Sequence, residues 1–166
     1  MKATIREACL ADAEELVSIQ ISCWKTAYQG LVDSSILDGI DETLWLERRL
    51  VFLKREDCVR KVACLNGRIV GFCDGGPSRE ARFSDAGEVF SLYVRSGEQG
   101  SGLGGVLFRT VCEELKRKGF PRLMVKTLLS NSKSRRFYEK MGAVFSGESF
   151  FEMGGKRFLE AVYLIS

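Results

Sequence analysis

The 166-residue sequence predicts an α/β (α+β) fold, a single domain over residues 1–166 with a mixed central sheet of about seven strands flanked by helices on both faces. Three observations carry this. Segments with the periodicity of amphipathic helices alternate with short β-branched and aromatic runs. Asn66-Gly67 separates two such runs, a strong signal for a tight hairpin. From Glu88 to Lys118 a strand, a glycine-rich turn and a helix follow directly on one another, and no repeat, low-complexity stretch or linker divides the chain.

Thr4-Ile-Arg6 reads as a short first strand. Asp12 stands at the start of a helix, and Glu15 completes a D-x-x-E pattern of the capping-box kind. Leu16, Ile19, Cys23 and Ala27 form one apolar stripe and Val17, Ile21, Trp24 and Tyr28 a second, so this helix is covered broadly. A second helix begins near Asp41, with Leu44/Trp45 and Val51/Phe52 two turns apart. Cys58 to Leu65 and Arg68 to Asp74 are the hairpin strands, and Gly75-Gly-Pro-Ser78 opens a polar loop to about Gly87. The strand Glu88 to Val94 suits a half-buried pleated surface. Leu107, Val111 and Leu115 define the next helix, supported by Glu113–Arg117 and Glu114–Lys118 pairs and stopped by Gly119 and Pro121. Arg122 to Leu128 is a strand. Ser130-Asn131-Ser132 caps a short helix containing Phe137, Tyr138 and Met141, and Gly142 closes it. Ala143 to Phe151 and Lys156 to Ile165 pair around Gly154-Gly155. The order is β, α, α, β, β, β, α, β, α, β, β.

Composition narrows the chemistry. A 45% hydrophobic and 28% charged chain is ordinary for a globular protein. The net charge of +3 is spread out, which gives no case for nucleic acid. No apolar run has membrane length and no signal-peptide pattern opens the chain, so a cytoplasmic protein is expected. The sequence has six cysteines, none in C-x-x-C, and no histidine. That excludes the usual zinc sites and Ser-His or Cys-His nucleophiles; no metal is expected. Proton transfer falls to Glu, Asp, Tyr, Lys, Cys or water.

Gly100, Gly102, Gly104 and Gly105 lie where the strand turns into the helix. Glycines there let a ligand reach bare backbone, and the first N–H groups of the helix lack internal partners at the positive end of its dipole. The expected guest is a phosphate or pyrophosphate. Gly100 and Gly105 have P-loop spacing, but Val106 stands where the P-loop lysine belongs. Gly100, Gly102 and Gly105 match Gly-x-Gly-x-x-Gly, yet no acid lies between Glu114 and Glu139 to hold a ribose. The third pattern is Gln99-Gly-Ser-Gly102-Leu-Gly104, which resembles the Gln/Arg-x-x-Gly-x-Gly/Ala acetyl-CoA loop of the GNAT N-acetyltransferase superfamily.

The rest of the chain supports that resemblance. Asn131 to Gly142, NSKSRRFYEKMG, is similar to the family's downstream motif N-x-x-A-x-x-F-Y-E-K-x-G-F. It keeps the spacing of Asn131 and Tyr138, with Ser134 for the usual Ala and Ala143 for the usual Phe. The opening IREA…D…SCWKTAYQGLV resembles a bacterial-type GNAT start. The resemblance implies a bulged fourth strand splayed from the fifth, forming a V-shaped cofactor cleft. Main-chain groups of Leu92, Tyr93 and Val94 would hold the acetyl and pantetheine parts. The turn of Gln99, Gly100, Ser101, Gly102, Leu103, Gly104 and Gly105 would hold the pyrophosphate, and Asn131 would bond the pantetheine arm. Tyr138 would protonate the departing thiolate. Glu88, eleven residues before Gln99, has the separation of the general base in the family's histone acetyltransferases; Glu80 and Asp85 are the reserve acids. Trp24 and Tyr28 either line the acceptor site or pack on the sheet.

The implied activity is acetyl-CoA-dependent N-acetylation of a primary amine by direct attack in a ternary complex. The partners would be acetyl-CoA and a small-molecule or peptide amine, with no nucleic acid and no membrane, in a monomer or homodimer. Two alternatives stay open: a non-catalytic acyl-CoA sensor, and a nucleotide-binding oxidoreductase module.

Overall fold

The computed structural model describes residues 2–166. One seven-stranded sheet runs through it in the order β1-β2-β3-β4-β5-β7-β6. The strands are β1 (Thr4–Glu7), β2 (Val59–Leu65), β3 (Arg68–Pro77), β4 (Gly87–Val94), β5 (Leu123–Leu128), β6 (Val144–Met153) and β7 (Lys156–Ile165). Every neighbouring pair is antiparallel except β4 and β5. The helices are α1 (Ala13–Ala27), α2 (Ser34–Asp38), α3 (Glu42–Leu53), α4 (Leu103–Arg117) and α5 (Ser132–Lys140).

Two apolar layers sandwich the sheet. On one face Leu16 and Ile19 of α1 and Leu53 of α3 pack on Val62, Ile69 and Phe72. On the other, Leu107, Val111 and Leu115 of α4 and Tyr138 of α5 pack on Val70, Val89, Val125 and Tyr163. The i, i+4 spacing on α4 thus faces the sheet, as a single apolar stripe requires. The β2–β3 hairpin turns through Asn66 (φ 54°) and Gly67 (φ 75°), the paired left-handed conformations of a two-residue turn.

Four local expectations change. The five-residue α2, too short to show periodicity, lies between the first two predicted helices. Strand β3 runs through Gly75 and Gly76 to Pro77 instead of ending at Asp74; a Cβ on Gly75 would come within 2.9 Å of the Glu88 carbonyl oxygen and of Leu115, so the bare backbone lets β4 and α4 close in. The D-x-x-E box does not form, because the Asp12 carboxylate turns back to accept from the Cys9 N–H at 2.8 Å and from both Arg6 Nη atoms at 2.8 and 3.0 Å. Glu113 pairs with Arg117 on α4, but Glu114 goes to Lys61 Nζ of β2 at 2.6 Å rather than to Lys118.

The pairing of β4 with β5 positions the site. It comprises Gly87–Leu123, Glu88–Met124 and Val89–Val125. Beyond Val89, β4 and β5 both continue without pairing to each other. On its other side β4 pairs Val89 with Gly75 and Ser91 with Asp74, leaving Phe90 as an extra residue, a β-bulge that bends the strand. A cleft therefore opens through the sheet, with α4 and α5 on one side and α1 and α3 on the other.

Candidate active site

The turn from β4 to α4 forms one mouth of this cleft. Gly100 (φ 81°) and Gly102 (φ 85°) are left-handed, and nothing lies within 4 Å of where their Cβ atoms would stand. Gly102 is the N-cap of α4; the first helical bond between backbone groups there is Val106 N–H to the Gly102 carbonyl, so the N–H groups just before Val106 are free to meet an anion. Gln99 folds over the turn, donating through Nε2 to the Val94 carbonyl at 2.9 Å and accepting from Lys133 Nζ at 2.8 Å. Ser101 Oγ donates to the Glu98 carbonyl at 2.6 Å. Lys133, a cation beside the turn, carries no signal in the sequence; its position in the first turn of α5 becomes meaningful only once α5 is docked against α4. The geometry suits a pyrophosphate, with open glycines, undirected N–H donors and an exposed cation.

Asn131 lies across the cleft on the β5 side. It is buried and caps α5, its Oδ1 accepting from the Ser134 N–H at 3.1 Å. That fixes its amide and leaves Nδ2 for a ligand. Leu92, Tyr93 and Val94 lie on the stretch of β4 that pairs with β3 but not with β5, so its edge faces the gap.

The centre of the cleft is a cluster of phenols. Tyr138 is walled by Phe108 at 5.5 Å and Phe137 at 5.3 Å. Tyr93 comes from β4 and accepts a 2.7 Å hydrogen bond from Trp24 Nε1. Tyr28 comes from the end of α1, edge-on to Trp24 at 4.6 Å. The three hydroxyls lie within electrostatic reach of one another. Burial pushes Tyr93 up to about 12, first of several causes, and raises Tyr28 and Tyr138 further. All three keep their protons across the neutral range. Trp24, one of the residues with two expected fates, therefore reaches the cleft through its indole N–H.

On the α1/α3 side the cleft widens into a cavity of about 390 Å³, walled by Trp24, Trp45, Phe52, Phe90 and Phe151. Its floor holds a buried ion pair, Arg49 Nη1 to Asp74 Oδ2 at 2.6 Å. The Arg49 guanidinium lies over Phe72 at 4.9 Å and donates to Gln20 Oε1 at 3.1 Å. Burial raises the Asp74 pKa, with Arg49 pulling it back.

Glu88 lies on this face of the sheet and is fully buried. Its Oε2 accepts from the Arg79 N–H at 2.8 Å, and its Oε1 from Arg79 Nη2 at 2.9 Å. Asp85 is on the surface, paired with Arg122 at 2.7 Å. Glu80 accepts from Arg82 Nε and from Ser149 Oγ. A fourth acid, Glu160 of β7, was not singled out. The signal was available: strand alternation places it with Phe158, Val162 and Leu164, an acid among inward-facing apolar residues.

A strand–turn–helix junction suited to an anion and a sheet opened beside it, with phenols and an aromatic cavity behind, are the geometry that an acyl transferase needs. The acetyltransferase (GNAT) family model matches residues 15–143, and the chain belongs to that family. It is 27% identical over 163 residues to the uncharacterized N-acetyltransferase YuaI of Bacillus subtilis (strain 168), covering 95% of this chain and 89% of that one. Its fold is similar to that of PaiA N-acetyltransferase from Thermoplasma acidophilum, solved in complex with coenzyme A, with a TM-score of 0.77 at 20% identity over 97% of this chain and 98% of that one. It is also similar to yncA from Salmonella typhimurium, solved with its cofactor acetyl-CoA, with a TM-score of 0.71 at 22% identity over 98% of this chain and 92% of that one.

Proposed function

We propose that this protein is an acetyl-CoA-dependent N-acetyltransferase that moves the acetyl group to a primary amine by direct attack in a ternary complex. The observation that carries this reading is the β4–β5 ladder, which stops after Val89–Val125 and so joins an anion-binding helix terminus on one side to an amine-sized cavity on the other. Acetyl-CoA supplies an activated thioester. The first turn of α4 holds its pyrophosphate, Asn131 its pantetheine arm, and main-chain groups at Leu92 to Val94 the thioester end. A backbone N–H near Val94 stabilises the charge that grows on the carbonyl oxygen, and Tyr138 protonates the departing sulfur.

An alkyl ammonium with a pKa of about 10.4 is not nucleophilic at neutral pH, so a proton must leave first. Glu88, the acid expected from the sequence, reaches that proton only by releasing Arg79. Glu160, on the same side of the sheet, is the second candidate. The whole chain acts as one catalytic domain in the cytoplasm, a location supported by its six free thiols. The test is thiol release from acetyl-CoA across a panel of amino acids, polyamines, aminoglycosides and peptides. Release with at least one amine supports the reading; tight acetyl-CoA binding with release from none would make the protein an acyl-CoA sensor.

A further inference from the structure

We infer that Glu160, and not Glu88, is the catalytic residue that takes the proton from the acceptor ammonium, while Glu88 is a positioning residue that anchors Arg79 at the rim of the cavity. The inference rests on the acetyltransferase reading above and concerns only the route of the proton.

The two carboxylates share a neighbourhood and differ in their ties. Glu88 has no exposed surface and accepts three hydrogen bonds from Arg79, one from the backbone and two from the guanidinium. A carboxylate so engaged has three of its roughly four acceptor sites filled, and Arg79 screens it from the cavity. Glu160 accepts no hydrogen bond from any described side chain, and among the described residues its one ion-pair contact is Lys126 Nζ at 3.9 Å, an ammonium that stands equally far from Glu88 Oε1. Its side chain is 14% exposed, buried enough to hold back water and open enough to be reached.

Position supports the same assignment. Glu160 stands opposite Leu128 on β5 and Ser149 on β6. The residues directly across from it therefore share its face, and Leu128 packs there against Trp24 and Tyr28. Glu160 is thus on the acceptor side, past the point where β4 and β5 separate, and within electrostatic reach of the Tyr28 hydroxyl. The charged groups facing it are Lys126 of β5, Arg79 and Glu80 of the β3–β4 loop, and Glu88 of β4. Burial raises its pKa above the ordinary carboxylate range; Lys126 and Arg79 act against this, and Glu88 and Glu80 add to it. A raised carboxylate is a better match for a base working near neutrality.

Glu160 takes one proton from R–NH3⁺ and becomes the neutral acid. The freed nitrogen attacks the thioester carbon, the carbon–sulfur bond breaks, and Tyr138 gives its proton to the thiolate. The second nitrogen proton restores Tyr138, and Glu160 returns its own to water. One amide, one thiol and one solvent proton result.

The experiment is the pH dependence of kcat/KM for wild type, Glu160→Gln, Glu160→Asp and Glu88→Gln, using an amine that the panel shows to be a substrate. Folding is checked by melting, and acetyl-CoA affinity by calorimetry. Wild type should lose activity as pH falls through the Glu160 ionisation. Glu160→Gln should lose that limb and fall about 10²–10⁴-fold at neutral pH, approaching wild type only where the amine deprotonates in solution, with acetyl-CoA affinity unchanged. Glu160→Asp should keep the limb at reduced rate. Glu88→Gln should melt lower and retain the limb. A folded Glu160→Gln with the limb intact, or a Glu88→Gln that loses it, overturns the assignment while leaving the acetyltransferase reading standing. Absence of thiol release by wild type overturns both.

Discussion

Tyr138 is held by its ring, and the role proposed for it belongs to its hydroxyl, so substitution separates the two. Phe108 and Phe137 grip the ring from α4 and α5; burial, with smaller contributions from Cys73, Tyr93 and Cys112, keeps the hydroxyl protonated well above the usual tyrosine range. Tyr138→Phe should therefore fold as wild type does and bind acetyl-CoA with similar affinity, while thiol release falls about 10²–10⁴-fold, the usual worth of a positioned acid. Unchanged turnover would leave Tyr138 a packing residue. The neighbouring Tyr93–Trp24 bond explains why an aromatic stripe on α1 belongs to the site: the indole fixes a phenol that forms part of the cleft wall. The sequence favours sheet packing for Trp24, because periodicity gives the face of a helix and not the polar atom that its indole meets.

The start of α1 illustrates the same limit for a whole element. A D-x-x-E pattern reads as a local cap, yet Asp12 is claimed by Arg6 of β1 and by the Cys9 N–H, while Glu15 pairs with Arg95 across the fold. Arg6 first among several causes lowers Asp12 to about 2. The folded value lies below the unfolded one, so this stabilisation is complete above about pH 4 and is lost as pH falls through about 2. Asp12→Asn should cost about 1–2 kcal/mol at neutral pH, the lower part of the charge-assisted range because Arg6 is half exposed. The gap from wild type should close between about pH 4 and pH 2 in urea titrations; a gap independent of pH would mean that packing, not charge, holds the pair. Elements whose signals are local were legible: the Asn66-Gly67 hairpin, the β4–turn–α4 run and the Asn131 cap. Elements set by distant contacts were not. β3 runs on through Gly75 because that residue pairs with Val89 of β4, and Glu160 is set beside Lys126 and opposite Leu128 by strand pairing, residues far away in the chain.

At the scale of the molecule, the sheet consists of two leaves, β1 to β4 and β5-β7-β6, whose only backbone ladder is the parallel one from Gly87–Leu123 to Val89–Val125. A ligand seated in the gap contacts both leaves and the end of α4, so it should stabilise the fold as a whole. At a hundred times its dissociation constant acetyl-CoA should add about 2.7 kcal/mol, a rise of several degrees in melting temperature, whereas NAD and ATP should add nothing. Gly104→Asp places a carboxylate in the first turn of α4, close to Phe137 and Val94, and should abolish the rise; equal stabilisation of the variant would remove the turn from the site.

The donor seat proposed above is built largely of main-chain groups, and that has a consequence for descent. A peptide N–H is the same whatever side chain hangs from it, so substitutions can accumulate around the donor seat while its chemistry persists, provided the turn keeps its glycines. The cavity proposed for the acceptor is lined by side chains from α1, α3, β3, β4 and β6, where an exchange would alter the guest. Lineages built on such a frame are free to change which amine they modify without relearning how to modify it, and shared architecture at about one-fifth identity is the record such freedom leaves.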